Sequence, residues 1–93
     1  MNKSEAKKVI AEELDAYRAK SYGELVELVG SPIAYEKAAA SGSRYQVEIQ
    51  VLWDSQPDGD IRVVGSVNDG GWRAFFPLTN DFVKSPSEEF VGE

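Results

Sequence analysis

Tyr45-Gln46-Val47-Glu48-Ile49-Gln50-Val51-Leu52-Trp53 decides the fold class. Tyr45, Val47, Ile49, Val51 and Trp53 alternate with Gln46, Glu48 and Gln50, and only Leu52 breaks the polar row. A period of two over this length specifies a β-strand with one face buried and the other mostly wet. Its neighbours share the pattern. Downstream, Ile61-Arg62-Val63-Val64-Gly65-Ser66-Val67-Asn68 puts Ile61, Val63 and Val67 on one face, with Gly65 where a side chain would otherwise stand. The turn formers Asp54-Ser55-Gln56-Pro57-Asp58-Gly59-Asp60 join the two runs, so an antiparallel hairpin is expected. Upstream, Ile33-Ala34-Tyr35-Glu36-Lys37-Ala38 reads as a preceding strand that turns back through Ser41-Gly42-Ser43.

Before Pro32 the period is helical. Ala6, Val9, Ile10, Leu14 and Tyr17 recur at steps of three and four, while Lys7, Lys8, Glu12, Glu13, Asp15 and Arg18 fill the opposite face. Ser4 is the expected N-cap of this helix. Ser21-Tyr22-Gly23-Glu24 has capping-box spacing and opens a second, shorter helix, which Gly30 and Pro32 close.

Beyond Asn68-Asp69-Gly70-Gly71 the expectation is a second hairpin whose returning strand is Trp72-Arg73-Ala74-Phe75-Phe76, ended by Pro77. The whole is then a single α+β domain over residues 1–93, with two N-terminal helices packed on an antiparallel meander of three to four strands. Its parts are residues 1–30, helical; 33–78, antiparallel sheet; and 79–93, a terminal hairpin or loose tail. At 93 residues the chain can bury roughly 64% of its unfolded surface, enough for one modest core.

Composition excludes much of the familiar chemistry. Without His or Cys, no Ser-His or Cys-His dyad can form, nor a disulfide, nor a thiolate or imidazole zinc site. A net charge of −6 argues against broad contact with phosphate backbones or anionic lipid, so neither nucleic acid nor membrane is an expected partner. The charge is dispersed, at −1, −3 and −2 over residues 1–30, 31–60 and 61–93. The charged N-terminus leads into no uninterrupted apolar stretch, and a soluble cytoplasmic chain is expected. No cofactor motif is present.

Three features remain as candidate sites. Asp54, Asp58 and Asp60 begin like a calcium loop, but position twelve of that loop is Gly65 where a Glu is required, leaving at most weak divalent-ion binding. The open sheet face, expected to carry Arg62, Val64, Arg73 and Phe75 beside Gln50 and Leu52, with the Trp72–Phe76 strand, combines Arg and aromatic residues as interface anchors do. Its alternative is intramolecular: Phe82 or Phe90 of the tail would cover it. Trp53 reads as a core plug. The expected function is a non-catalytic protein-interaction or self-association domain. The alternative is a small-molecule or enzymatic pocket between helices and sheet, using Asp69 and Arg73 or Tyr35 as polar contacts.

Overall fold

The structure is a computed structural model and describes residues 1–70 and 77–93. It is α+β, with helices α1 (Lys3–Arg18) and α2 (Tyr22–Leu28) followed by strands β1 (Ile33–Ala38), β2 (Arg44–Trp53), β3 (Ile61–Asn68) and β4 (Leu78–Lys84). The strands form one antiparallel sheet in sequence order, β1-β2-β3-β4. Both helices lie on one face of it.

α1 buries the stripe the period predicts: Ala6, Val9, Ile10, Leu14 and Tyr17. Its cap is Asn2, whose side chain accepts the Glu5 amide at 3.0 Å, so Ser4 falls inside the first turn and the expected cap is corrected by two residues. Asn and Ser cap about equally well, and three-residue spacing to the accepted amide selects Asn2 here. In α2 the capping box is complete: Ser21 Oγ accepts the Glu24 amide at 3.1 Å, and Glu24 Oε1 accepts the Ser21 amide at 3.0 Å. Gly30 follows at φ +81°, a left-handed conformation that suits glycine after a helix end.

Alternation along β2 and β3 divides the sheet into two faces. Tyr45, Val47, Ile49 and Val51 meet the helices together with Ile61, Val63 and Val67, all buried. Each fully buried Ile or Val side chain stabilises the fold by about 1.5–3 kcal/mol relative to exposure. Gly65 belongs to this inner row, and a Cβ there would stand 2.6 Å from Ile10 Cδ1. The missing side chain is therefore what lets α1 lie directly on β3.

The expected strand 72–76 lies outside the described residues. The partner of β3 is β4, with Val67 opposite Leu78 and Ile61 opposite Lys84, so the sheet continues to Lys84 rather than ending at residue 78. Pro77 stands immediately before β4, a position that suits a residue with no ladder donor. Past Lys84 the chain reverses, the Ser85 amide donating to the Glu89 carbonyl at 2.8 Å, and Phe90 pairs back with Lys84. The end of the chain is thus a small hairpin.

Candidate functional site

The outer face of the sheet is the surface the helices leave open. Along β2 it carries Gln46, Glu48, Gln50 and Leu52; opposite them on β3 stand Asn68, Ser66, Val64 and Arg62. β4 adds Thr79, Asp81 and Val83. Arg62 and Val64, both expected here, are half-buried by their strand neighbours, and Leu52 is 38% exposed. Trp72, Arg73 and Phe75, the other residues expected at this surface, lie outside the described residues.

Phe82 and Phe90 do not cover this face. Phe82 sits in the core opposite Val63, and Phe90, paired with Lys84, stacks edge-on against it with ring centroids 5.7 Å apart. Both rings are on the helix side. Among the described residues, only Val83 is buried on the outer face, next to the segment whose Val91 amide donates to its carbonyl at 2.8 Å.

Arg62 is held in place from two sides. Its Nε donates to Asp54 Oδ1 at 2.8 Å, its Nη2 approaches the same oxygen at 2.7 Å, and its Nη1 pairs with Asp81. Hydrogen bonds to Asp54 and then Asp81 push its pKa up further, so it is a fixed cation at every accessible pH. A guanidinium already oriented by the fold loses less rotamer entropy on meeting a partner.

Asp54, Asp58 and Asp60, the candidate divalent-ion ligands, take part in the contacts of the β2–β3 turn. Asp54 is committed to Arg62, and its amide donates to the Asp60 carbonyl at 2.8 Å to close the β2–β3 hairpin. Asp58 takes φ +64°, and the Gly59 carbonyl accepts the Tyr22 hydroxyl at 2.7 Å. These residues shape a turn. Among the described residues no group of three or more carboxylates gathers to hold a metal ion.

Tyr35 and Asp69, two polar residues of the alternative pocket reading, each have a partner of their own. Tyr35 Oη donates to Glu13 Oε1 at 2.6 Å; burial, then that bond, pushes its phenol well above the usual range. Asp69 sits 3.4 Å from the N-terminal ammonium, and Arg73 lies outside the described residues. A cleft of about 260 Å³ does open between α1 and the end of β1, lined by Glu5, Lys8, Glu13, Lys37 and Ala39 among others. Neither Tyr35 nor Asp69 lines it.

A feature that sequence reasoning missed lies at the lower end of the open face. Val29, Pro32, Gln50, Val51, Leu52 and Trp53 line a largely apolar groove of about 350 Å³, which the Gly30 amide helps fix by donating to the Val51 carbonyl at 3.3 Å. Trp53 is half-buried, packed against the core cluster and also one wall of this groove. The available signal was Leu52, the apolar residue that breaks the wet row of β2 immediately before Trp53. Among the described residues no helix is long and apolar enough to cross a membrane. Compared with protein-family models, with curated proteins and with solved structures, the chain matches none.

Proposed function

We propose that this domain is a non-catalytic interaction module of the cytoplasm that binds a protein partner, or a second copy of itself, through the outer face of its sheet. The observation that carries this reading is the juxtaposition of exposed Leu52 and half-buried Val64 with an Arg62 already oriented by Asp54 and Asp81, uncovered by the rest of the described chain. Apolar area beside a preset guanidinium is the composition of an interface anchor, with the polar residues Gln46, Glu48 and Asn68 as its rim. Nucleic acid and membrane stay outside the reading because the charge is −6.

Leu52→Asp and Val64→Asp test it, because both side chains project from the core and folding can be confirmed by circular dichroism. Sedimentation velocity reads self-association, and affinity capture from a lysate of the source cell reads a heterologous partner. Association by wild type that both variants lose, while the helix-face variant Lys7→Glu keeps it, is the expected result. A monomer at high concentration whose captured proteins are the same for wild type and both variants would overturn it.

A further inference from the structure

We infer that the partner presents a basic polypeptide segment, one apolar side chain of which enters the groove between Pro32 and Trp53. This rests on the interaction reading above and adds to it the chemistry of the occupant. The groove is continuous with the open face, since Gln50 and Leu52 belong to both. Its volume of about 350 Å³ is sufficient for a Leu-sized or Phe-sized side chain, and its lining is apolar apart from Ser31 and Gln50.

Charge selects the occupant. Residues 31–60, which form most of the groove, carry −3. The two bases of that stretch, Lys37 and Arg44, stand at the opposite end of β1 and β2 and are paired there with Glu13 and Glu36. Around the groove, Glu27 lies two residues before Val29, Glu48 lies two before Gln50 on the same face, and Asp60 precedes the cross-strand partner of Trp53. Glu27, Glu48, Asp58 and Asp60 have no ion-pair partner among the described residues. The nearby cation, Arg62, is taken by Asp54 and Asp81. No cation of the described chain lies over the Trp53 ring. An apolar slot with unpaired carboxylates close in the chain to its lining residues attracts apolar and basic side chains together, and disfavours acidic ones.

The experiment is an amide NMR titration of the full chain with the capped peptide Lys-Leu-Lys-Leu-Lys, with Glu-Leu-Glu-Leu-Glu and Lys-Ser-Lys-Ser-Lys as controls. Saturable shifts at Gly30, Gln50, Leu52 and the Trp53 indole N–H are expected with the first peptide alone. Affinity should fall at least about fivefold between about 50 and about 300 mM salt. A similar loss is expected in Asp58→Asn/Asp60→Asn, a variant that keeps the turn because Asn tolerates the positive φ of residue 58. Equal binding of the Glu peptide, or of the Ser peptide, overturns the inference, as does silence at all four reporters. Shifts confined to Val64 and Ser66 overturn the groove assignment while leaving the interaction reading standing; that reading falls by the Leu52→Asp and Val64→Asp result alone.

Discussion

Gly65 shows how a single absent side chain sets the distance between two layers. In a strand, Gly→Ala ordinarily stabilises by about 0.5–1 kcal/mol because the unfolded chain loses freedom. At Gly65 the new Cβ would meet Ile10 Cδ1 at 2.6 Å, Ile10 Cγ1 at 3.0 Å and Leu14 Cδ2 at 3.2 Å, and both neighbours are only 1% exposed. Neither has room to turn away, and overpacking of this kind costs about 1–3 kcal/mol. Gly65→Ala is therefore expected to lower stability by about 1–2 kcal/mol in urea denaturation, with partial recovery in Gly65→Ala/Ile10→Val, which shortens the offending side chain; unchanged stability in the single variant contradicts the packing argument. Tyr45 makes a second prediction at this scale. Its hydroxyl donates to Glu5 Oε1 at 2.7 Å, which, with burial, pushes the phenol up to about 12 from 10.0. Glu5 is held below 4.5, first by the Ser41 hydroxyl and then by Tyr45. The depressed carboxyl contributes stability that is present above 4.5 and lost as pH falls through its folded value; the raised phenol contributes stability that is complete below pH 10.0 and lost as pH climbs toward about 12. Tyr45→Phe should reduce both limbs of the stability-versus-pH curve, leaving on the alkaline side the part that Tyr17, Tyr22 and Tyr35 supply and on the acid side the part that the Ser41 hydroxyl, Glu24 and Glu36 supply, and identical curves for variant and wild type would count against the pair.

Among the elements, α2 depends most on its context. Seven residues are too few to hold a helix alone, so its persistence rests on the capping box, on fully buried Leu25 and on the Tyr22 hydroxyl bonded to the β2–β3 turn. Ser21→Ala should cost about 1 kcal/mol, read by thermal melting, whereas Ser4→Ala, inside α1 and away from its cap, should cost less than about 0.5 kcal/mol. That contrast also measures what a sequence reveals. The capping box was legible because its donors and acceptors lie three residues apart, and β2 and β3 because alternation is a local consequence of one-sided burial. β4 was not legible: Phe82, Val83 and Lys84 are buried in succession for three separate reasons. Phe82 fills the core, Val83 stands against Arg62 on the outer face, and Lys84 Nζ donates to the Lys20 carbonyl at 2.7 Å. No period records such a mixture. Strand parity alone puts Arg62 and Val64 on the outer face, but the groove at Pro32 and Trp53 arises from the placement of residues 29–32 against 50–53, a relation between distant segments that no local pattern contains.

Across the whole molecule, α1 runs antiparallel to β3 and is tied at both ends. Sixteen helical residues span about 24 Å and eight strand residues about 27 Å, so the two elements match in length. At one end the N-terminal ammonium meets Asp69, just past β3. At the other, Arg18 lies between two rings, 4.8 Å from the Phe82 centroid and 5.1 Å from that of Phe90, while its Nη1 donates to both carboxylate oxygens of Glu93 at 2.9 and 2.8 Å. Glu88 accepts the Tyr22 amide at 2.8 Å, adding a second tie from the chain end to the helical layer. Phe82 and Phe90 share this arrangement but differ in burial, 3% against 37% exposed, and that difference separates their roles. Phe82→Ala opens a cavity in the core and should cost about 3–5 kcal/mol globally. Phe90→Ala removes an edge-on ring contact worth about 0.5–1.5 kcal/mol and two cation–π contacts, with Arg18 and Lys84, worth about 0.5–1 kcal/mol each, so its global cost should stay near 2–3 kcal/mol. Its larger effect should be local. Hydrogen exchange at the Val91 and Glu89 amides, which donate to the Val83 carbonyl and to Ser85 Oγ, should quicken in Phe90→Ala. In the same variant the amides of β2 and β3 should slow or quicken only by the amount the global loss dictates. Uniform acceleration across the sheet would instead mean that the terminal hairpin is part of the cooperative core, and that α1 owes its position to the clasp as much as to its seat on Gly65.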